Sequence, residues 1–372
     1  MVSGADLIAA LDVPLHRNAR LDREAFHDLV VKAKAAMLTQ DPEVRPKSEA
    51  GRPGGLVYVK QPRALLIPDL HARIEFLGTL LGADAAALGF EGRSVADLAA
   101  AGQACVVCLG DVLHAEGREA AERWMLAERY KKYGYEASRF KSMPTNAVFG
   151  GDPSSPFCNP PLELEMQRSF ASLEAAMLLK TLIPEHFYCL KGNHDNASNS
   201  GDHGDFPFFK YAEEGQMTAD WFLASYGGQL LRELREYELL LPLVAVGRAF
   251  CASHAEPARP LDATEILDYL ERPDVVRSLI WTDNGEACKD AAQKSLASLL
   301  SRPPARIGAR WFCGHRPVSG FWAEREDRAV IQIHNPERWQ FVWIDNSAPE
   351  FPSCLRFQVE ENGTLVQLGR IS

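Results

Sequence analysis

The chain has 372 residues, room for one large domain with insertions or for two domains. Hydrophobic residues make up 46% and charged residues 24%, which excludes a disordered, collagen-like or disulfide-stapled chain. Forty Lys and Arg against fifty Asp and Glu give a formal charge of −10, which excludes general binding to a nucleic-acid backbone and leaves only a local basic pocket.

The start, Met1 to Glu24, carries Asp6, Asp12, Asp22 and Glu24 and lacks a basic stretch followed by an apolar run, so no secretory signal is expected. Ala25 to Met37 has helical patterning and Arg52 to Gly55 reads as a Pro/Gly-rich linker, so residues 1–60 read as an N-terminal elaboration. Three short apolar runs then read as buried strands. Ala64 to Ile67 ends at Pro68-Asp69, Cys105 to Leu109 at Gly110-Asp111, and His186 to Leu190 at Gly192-Asn193-His194-Asp195. Arg248 to Ser253 ends at His254, and Arg310 to Cys313 ends at Gly314-His315. All five deliver polar residues at their C-terminal ends, so they are expected to converge on one edge, where open α/β sheets place their sites.

Between the strands, Arg118 to Tyr130, Leu162 to Leu182 and Ala291 to Leu300 read as helices covering the sheet faces. Ser142 to Pro161 reads as a Pro/Gly-rich loop, and Asn196 to Pro207 as a second polar loop. A single domain over 61–372 therefore carries insertions at about 118–183 and 196–240. The runs Ala329–Ile333, Trp339–Ile344, Leu355–Val359 and Thr364–Leu368 alternate and read as a meander completing a second sheet. No apolar stretch approaches the roughly 18 residues of a membrane span, so no membrane partner is expected. The setting expected is the cytoplasm, with the cysteines reduced. Cys105 and Cys108 have the spacing of a redox or zinc pair, but residues three apart on a strand point to opposite faces, and core thiols are expected.

A pair of divalent cations needs carboxylate, imidazole and amide donors on separate rigid supports, with one donor shared so that the ions sit about 3.5–4 Å apart. Asp69-Leu70-His71, Asp111, Asn193, His254 and His315 supply such a set in order, with His194 beside it. The order Asp-x-His, Gly-Asp, Gly-Asn-His-Asp, a lone His after a strand, and Gly-His resembles the calcineurin-like metallophosphoesterase superfamily. Leu279 to Asn284 is similar to the Leu-Leu-Trp-Ser-Asp-Pro segment of its phosphoprotein phosphatase branch. Gly314-His315-Arg316-Pro317 also lacks the second histidine that other branches place two residues on. The resemblance spans Ala64 to Ile344.

The resemblance implies an α/β fold, a calcineurin-like two-sheet sandwich flanked by helices in four layers, αββα. It implies two divalent or trivalent metal ions, Mn, Fe or Zn. Asp69 and His71 would bind the first, Asn193, His254 and His315 the second, and Asp111 both. A hydroxide between the ions would attack a phosphoryl group in line, and His194 would act as general acid. A phosphorylated substrate follows, nearest to Ser/Thr-phosphate on protein. A small-molecule phosphatase or dinucleoside polyphosphate hydrolase is the alternative, and a noncatalytic metal-binding module keeping the fold is a second.

Where the family has Gly-Asp-x-x-Asp-Arg-Gly, this chain reads Gly110-Asp111-Val112-Leu113-His114-Ala115-Glu116-Gly117-Arg118. His114 replaces the Asp that orients the acid, and Ala115 replaces a phosphate-binding Arg. His114 or Glu116 is then expected to orient His194. Arg118, Arg73 and Arg316, with His114, are the candidates for contacting phosphate, since an Arg fork fits phosphate oxygens. His334 aligns with a loop beside the site, and His203 reads as a solvated loop residue. Phe208, Phe209, Trp221 and Phe222 read as core or as an aromatic wall of the site.

Overall fold

In the computed structural model the described residues are 2–17, 19–133, 159–300, 308–326, 328–347 and 354–371. The expected loop from Ser142 lies outside them as far as residue 158, and Pro160 and Pro161 already form the first turn of a helix. Pro suits that position, because the first turn has no intrahelical use for its missing N–H.

Among the described residues the strands are β1 (Leu56–Tyr58), β2 (Arg63–Ile67), β3 (Cys105–Cys108), β4 (Phe187–Cys189), β5 (Val244–Val246), β6 (Phe250–Ala252), β7 (Arg310–Cys313), β8 (Ala323–Arg325), β9 (Val330–Gln332), β10 (Gln340–Asp345), β11 (Cys354–Val359) and β12 (Leu365–Ile371). They form two mixed sheets of six strands, in the orders β1-β5-β6-β7-β9-β8 and β12-β11-β10-β2-β3-β4. The expectation of a single edge needs correcting. β2, β3 and β4 run parallel in one sheet, whereas β6 and β7 run parallel in the other and are joined there by β9. These runs are buried on both faces, so their side-chain pattern carries no mark of the partner sheet.

The expected C-terminal meander is likewise split. β10, β11 and β12 are antiparallel neighbours that extend the sheet of β2. β9 instead pairs with β7, and the chain crosses between sheets at Asn335, whose amide donates to the Val318 and Gly320 carbonyls at 3.0 and 2.8 Å.

The helices are α1 (Gly4–Leu15), α2 (Arg23–Leu38), α3 (Ile74–Gly82), α4 (Val95–Ala100), α5 (Arg118–Tyr133), α6 (Pro160–Leu182), α7 (Glu214–Tyr226), α8 (Gly228–Leu239), α9 (Ala263–Leu267), α10 (Pro273–Ile280) and α11 (Ala291–Leu299). Between the sheets, Leu66, Val107 and Tyr188 pack against Ala245, Phe250, Phe312 and Ile331. The outer face of the β2–β4 sheet, through Leu65, Val106 and Cys108, is covered by Leu7, Phe26, Val30, Phe170 and Phe222 of α1, α2, α6 and α7. On the opposite outer face Val244, Cys251 and Trp311 meet Val275, Leu279 and Leu296 of α10 and α11. The result is helix, sheet, sheet, helix. Cys105 lies in the layer between the sheets and Cys108 outside it, both as free buried thiols. The first sixty residues contribute α1 and α2 to the outer layer and β1 as a parallel partner of β5. No helix among the described residues is long and apolar enough to cross a membrane.

Candidate metal centre

The parallel strands of the two sheets end at one place. Beyond β2 and β3 the chain continues as turns laced together: His71 N–H donates to the Asp111 carbonyl at 2.6 Å and Ala72 N–H to Val112 at 3.0 Å. His71 and Asp111 sit at φ 43° and 48°, a left-handed conformation that costs a residue with a Cβ and persists only where the surroundings hold it. The Asp195 carboxylate supplies part of that hold by accepting the N–H groups of Asp111 and Val112 at 3.0 Å each and of Gly192 at 2.8 Å. Two glycines are dictated by contact. A Cβ on Gly314 would fall 1.7 Å from Asp69 Oδ1, and one on Gly192 would fall 2.1 Å from Asp111 Oδ1.

The structure brings all six expected metal ligands together. Two of the histidines are anchored at one ring nitrogen by a backbone carbonyl, His71 Nδ1 on His114 at 2.8 Å and His254 Nδ1 on Leu109 at 3.0 Å. Each ring then presents the Nε2 lone pair to the centre, the arrangement usual for metal-binding imidazole. His71 Nε2 lies 3.5 Å and His254 Nε2 3.4 Å from the same atom, Asp111 Oδ2. Asn193 Oδ1 lies 2.9 Å from His254 Nε2 and 3.0 Å from His315 Nδ1. Asp69 Oδ2 accepts the His315 N–H at 2.7 Å, and its Oδ1 has no hydrogen-bond partner.

These residues fit metal ions. With His254 Nδ1 donating to a carbonyl, lone pairs of His254 and Asn193 face each other at hydrogen-bond distance without a proton between them. Asp69 and Asp111 are fully buried. Burial, and then the neighbouring Asp111 carboxylate, hold Asp69 well above the usual carboxylate range. Burial raises Asp111 as well, and pushes His254 down to about 3. Carboxylates whose charged form burial disfavours, beside imidazoles whose protonation burial disfavours, are a donor set that a cation relieves on both sides. Three overlapping groups, Asp69-His71-His334, His71-Asp111-His194 and Asp69-Asp111-His254, each have donor atoms within 4.8 Å of one another. Oxygen and imidazole without thiolate suit Mn, Fe or Zn.

His194 lies against the centre, its N–H donating to Asp111 Oδ1 at 2.8 Å and its ring 4.2 Å from that of Phe208. His114 Nδ1 lies 3.2 Å from His194 Nδ1, and His114 Nε2 lies 2.8 Å from Thr218 Oγ1. The orienting position therefore belongs to His114. Glu116 faces His334 and His71 instead, with Oε2 at 2.6 Å from His334 Nε2 and 3.4 Å from His71 Nε2, and Oε1 paired with Lys210. Trp221 and Phe222 belong to the core, Phe208 walls the site, and Phe209 and His203 are exposed.

The arginines differ from expectation. Arg73 is a brace: its guanidinium donates to the carbonyls of Leu70, Asn335 and Arg338 at 3.0, 3.1 and 3.0 Å and to that of Asp69. With four of its five N–H groups given to main-chain oxygens, the guanidinium has no free fork for a phosphate. Arg73→Ala is expected to unbrace the turns carrying Asp69 and His334 and lower the melting temperature by several degrees in a calorimetric scan; an unchanged melting temperature with a raised KM would restore the phosphate role. Arg118 stands at the start of α5, exposed, near Glu122 at 3.4 Å, and is not brought to the centre. Arg316 is half-exposed at the mouth, paired with Asp283, whose Oδ1 is 3.4 Å from His315 Nε2. Lys210 was not foreseen. It lies in the second insertion and bears no motif, and only the folded chain sets it beside Glu116.

No protein-family model matches the chain, and no curated protein matches it. Among solved structures the chain is similar to a protein serine/threonine phosphatase from Saccharomyces cerevisiae with similarity to human phosphatase PP5. The identity is 11%, 87% of this chain and 82% of that one are covered, and the TM-score is 0.48. It is also similar to a cold-active protein-tyrosine phosphatase of a psychrophile, Shewanella sp., with 11% identity, 85% and 82% coverage, and a TM-score of 0.45.

Proposed function

We propose that this chain is a two-metal phosphoric ester hydrolase of the calcineurin-like metallophosphoesterase type, nearest in its motifs to Ser/Thr protein phosphatases. The observation that carries the reading is the convergence of Asp69, His71, Asp111, Asn193, His254 and His315, with Asp111 Oδ2 placed between His71 and His254. Cations in such a site lower the pKa of water and neutralise charge on phosphoryl oxygens. The chain's own groups do the rest. Asp69 and His71 hold one side, Asn193, His254 and His315 hold the other, and Asp111 serves both. His194, fixed by its N–H bond to Asp111 and by the His114 ring, stands where it can give a proton to the leaving oxygen. Lys210 and Arg316 are cationic side chains beside the centre, paired with Glu116 and Asp283.

On this reading residues 61–372 are the catalytic domain and residues 1–60 an elaboration that adds two helices to its outer layer and β1 to one sheet, and the protein works in the cytoplasm. The test is a screen of the Mn²⁺-supplemented protein over phosphopeptides, nucleotides and sugar phosphates. Turnover of phosphoseryl or phosphothreonyl peptides is expected. Activity confined to nucleotides or dinucleoside polyphosphates would move the assignment to the small-molecule alternative.

A further inference from the structure

We propose that His334 is a metal ligand on the Asp69–His71 side of the centre, held by Glu116, which Lys210 holds in turn. The proposal rests on the two-metal reading above and adds a residue that the sequence motifs do not supply.

His334 follows β9, the third of the parallel strands in its sheet, so its main chain arrives at the same end of the sandwich as His254 and His315. The residue is fully buried, and its carbonyl accepts the Val318 N–H at 2.9 Å, which fixes the backbone. The two ring nitrogens have different surroundings. Nε2 lies 2.6 Å from Glu116 Oε2, while Nδ1 has no hydrogen-bond partner and lies 3.8 Å from Asp69 Oδ2. A neutral imidazole that donates from Nε2 to Glu116 carries a lone pair on Nδ1. That lone pair is buried and faces a carboxylate oxygen with no hydrogen bond between them. A cation between the two satisfies both. Its other neighbour is already in place, since the donor atoms of Asp69, His71 and His334 lie within 4.8 Å of one another and the His71 and His334 rings are 5.3 Å apart.

The groups behind the ring complete the pattern. A metal-binding histidine usually gives its second ring nitrogen to a carboxylate or a carbonyl, and Glu116 stands to His334 as the Leu109 carbonyl stands to His254. The Glu116 side chain is 4% exposed and its other oxygen pairs with Lys210, so the carboxylate neither rotates freely nor lacks a counter-charge. Both sides of the centre then have four protein donors: Asp69, His71, Asp111 and His334 on one, Asp111, Asn193, His254 and His315 on the other. The chain lacks a histidine two residues after His315, and His334 brings one to the opposite side of the pair from a different strand.

The experiment is calorimetric titration of the metal-stripped full chain with Mn²⁺, together with elemental analysis after gel filtration, for the wild type, His334→Gln and Glu116→Gln. The wild type is expected to take up two ions per chain. His334→Gln should keep one and bind the other at least about tenfold more weakly, and Glu116→Gln should weaken that same ion by roughly 10- to 100-fold, the usual effect of losing a partner of a ligating histidine. Two ions bound with wild-type affinity in His334→Gln would overturn the proposal and leave the two-metal reading standing. If His334→Gln fails to fold, wild-type affinity in Glu116→Gln overturns it instead. A wild type that binds no ion overturns both readings.

Discussion

Asp111→Asn is expected to bind fewer than two metal ions per chain and to lose turnover by orders of magnitude while keeping its fold. Asp111 Oδ2 is the atom on which the two halves of the centre meet, 3.5 Å from His71 Nε2 and 3.4 Å from His254 Nε2. An amide in its place is neutral. Its NH2 would either face those lone pairs as a donor or displace Oδ1 from the His194 N–H, which that oxygen accepts at 2.8 Å. The charge that neutralises two cations is lost in either rotamer. The fold survives because the contacts that shape this turn belong to the main chain: Asp111 N–H on Asp195 and Asp111 carbonyl on His71. Elemental analysis, circular dichroism and a phosphatase assay on one preparation check this. Two ions per chain with near-normal turnover would remove Asp111 from the shared position.

His194→Asn should leave metal content intact and slow the reaction by an amount that depends on the leaving group. General acid catalysis is worth about 100- to 10,000-fold, and a leaving group that departs as a stable anion needs little of it. A seryl phosphate should suffer most of that loss and a nitrophenyl phosphate much less. The substitution keeps the backbone N–H that serves Asp111, so the centre itself is disturbed little. His114, with Thr218 behind it, is what holds the His194 ring, the acid of the proposed reaction. Equal slowing of both substrates, measured side by side, would show that the proton comes from another group.

The six candidate metal ligands are legible because each follows a short apolar run, closed by Gly or Pro in every case but that of His254, and such punctuation survives in one dimension. The sheet to which each run belongs was not. Cys105–Cys108, Phe187–Cys189 and Phe250–Ala252 are buried on both faces, and nothing in their patterns separates the first two from the third. The supports of the site were hidden for another reason. Glu116 and Lys210 meet across 94 residues and Glu116 and His334 across 218, so no local spacing carries the relation. Arg73 shows the opposite failure. Its place beside a motif suggested a phosphate contact, but the positions of four carbonyl oxygens decide its role, and those are fixed only when the turns after β2 and β9 meet. α1 is a similar case. Its Leu7, Leu11 and Pro14 stripe is short and weak in sequence, and the helix is held by a Ser3-Asp6 capping box and by packing on α4 and α6.

The central claim is that hydrolysis depends on a pair of ions held by this donor set. It is tested most directly by stripping the wild-type protein with a chelator, adding back Mn²⁺ in steps, and recording bound metal and nitrophenyl phosphate hydrolysis on the same samples. The account predicts no turnover in the stripped protein and activity that appears as the second ion per chain is bound. Full activity in protein shown to be free of metal, or a folded protein with two bound ions and no turnover, would contradict it.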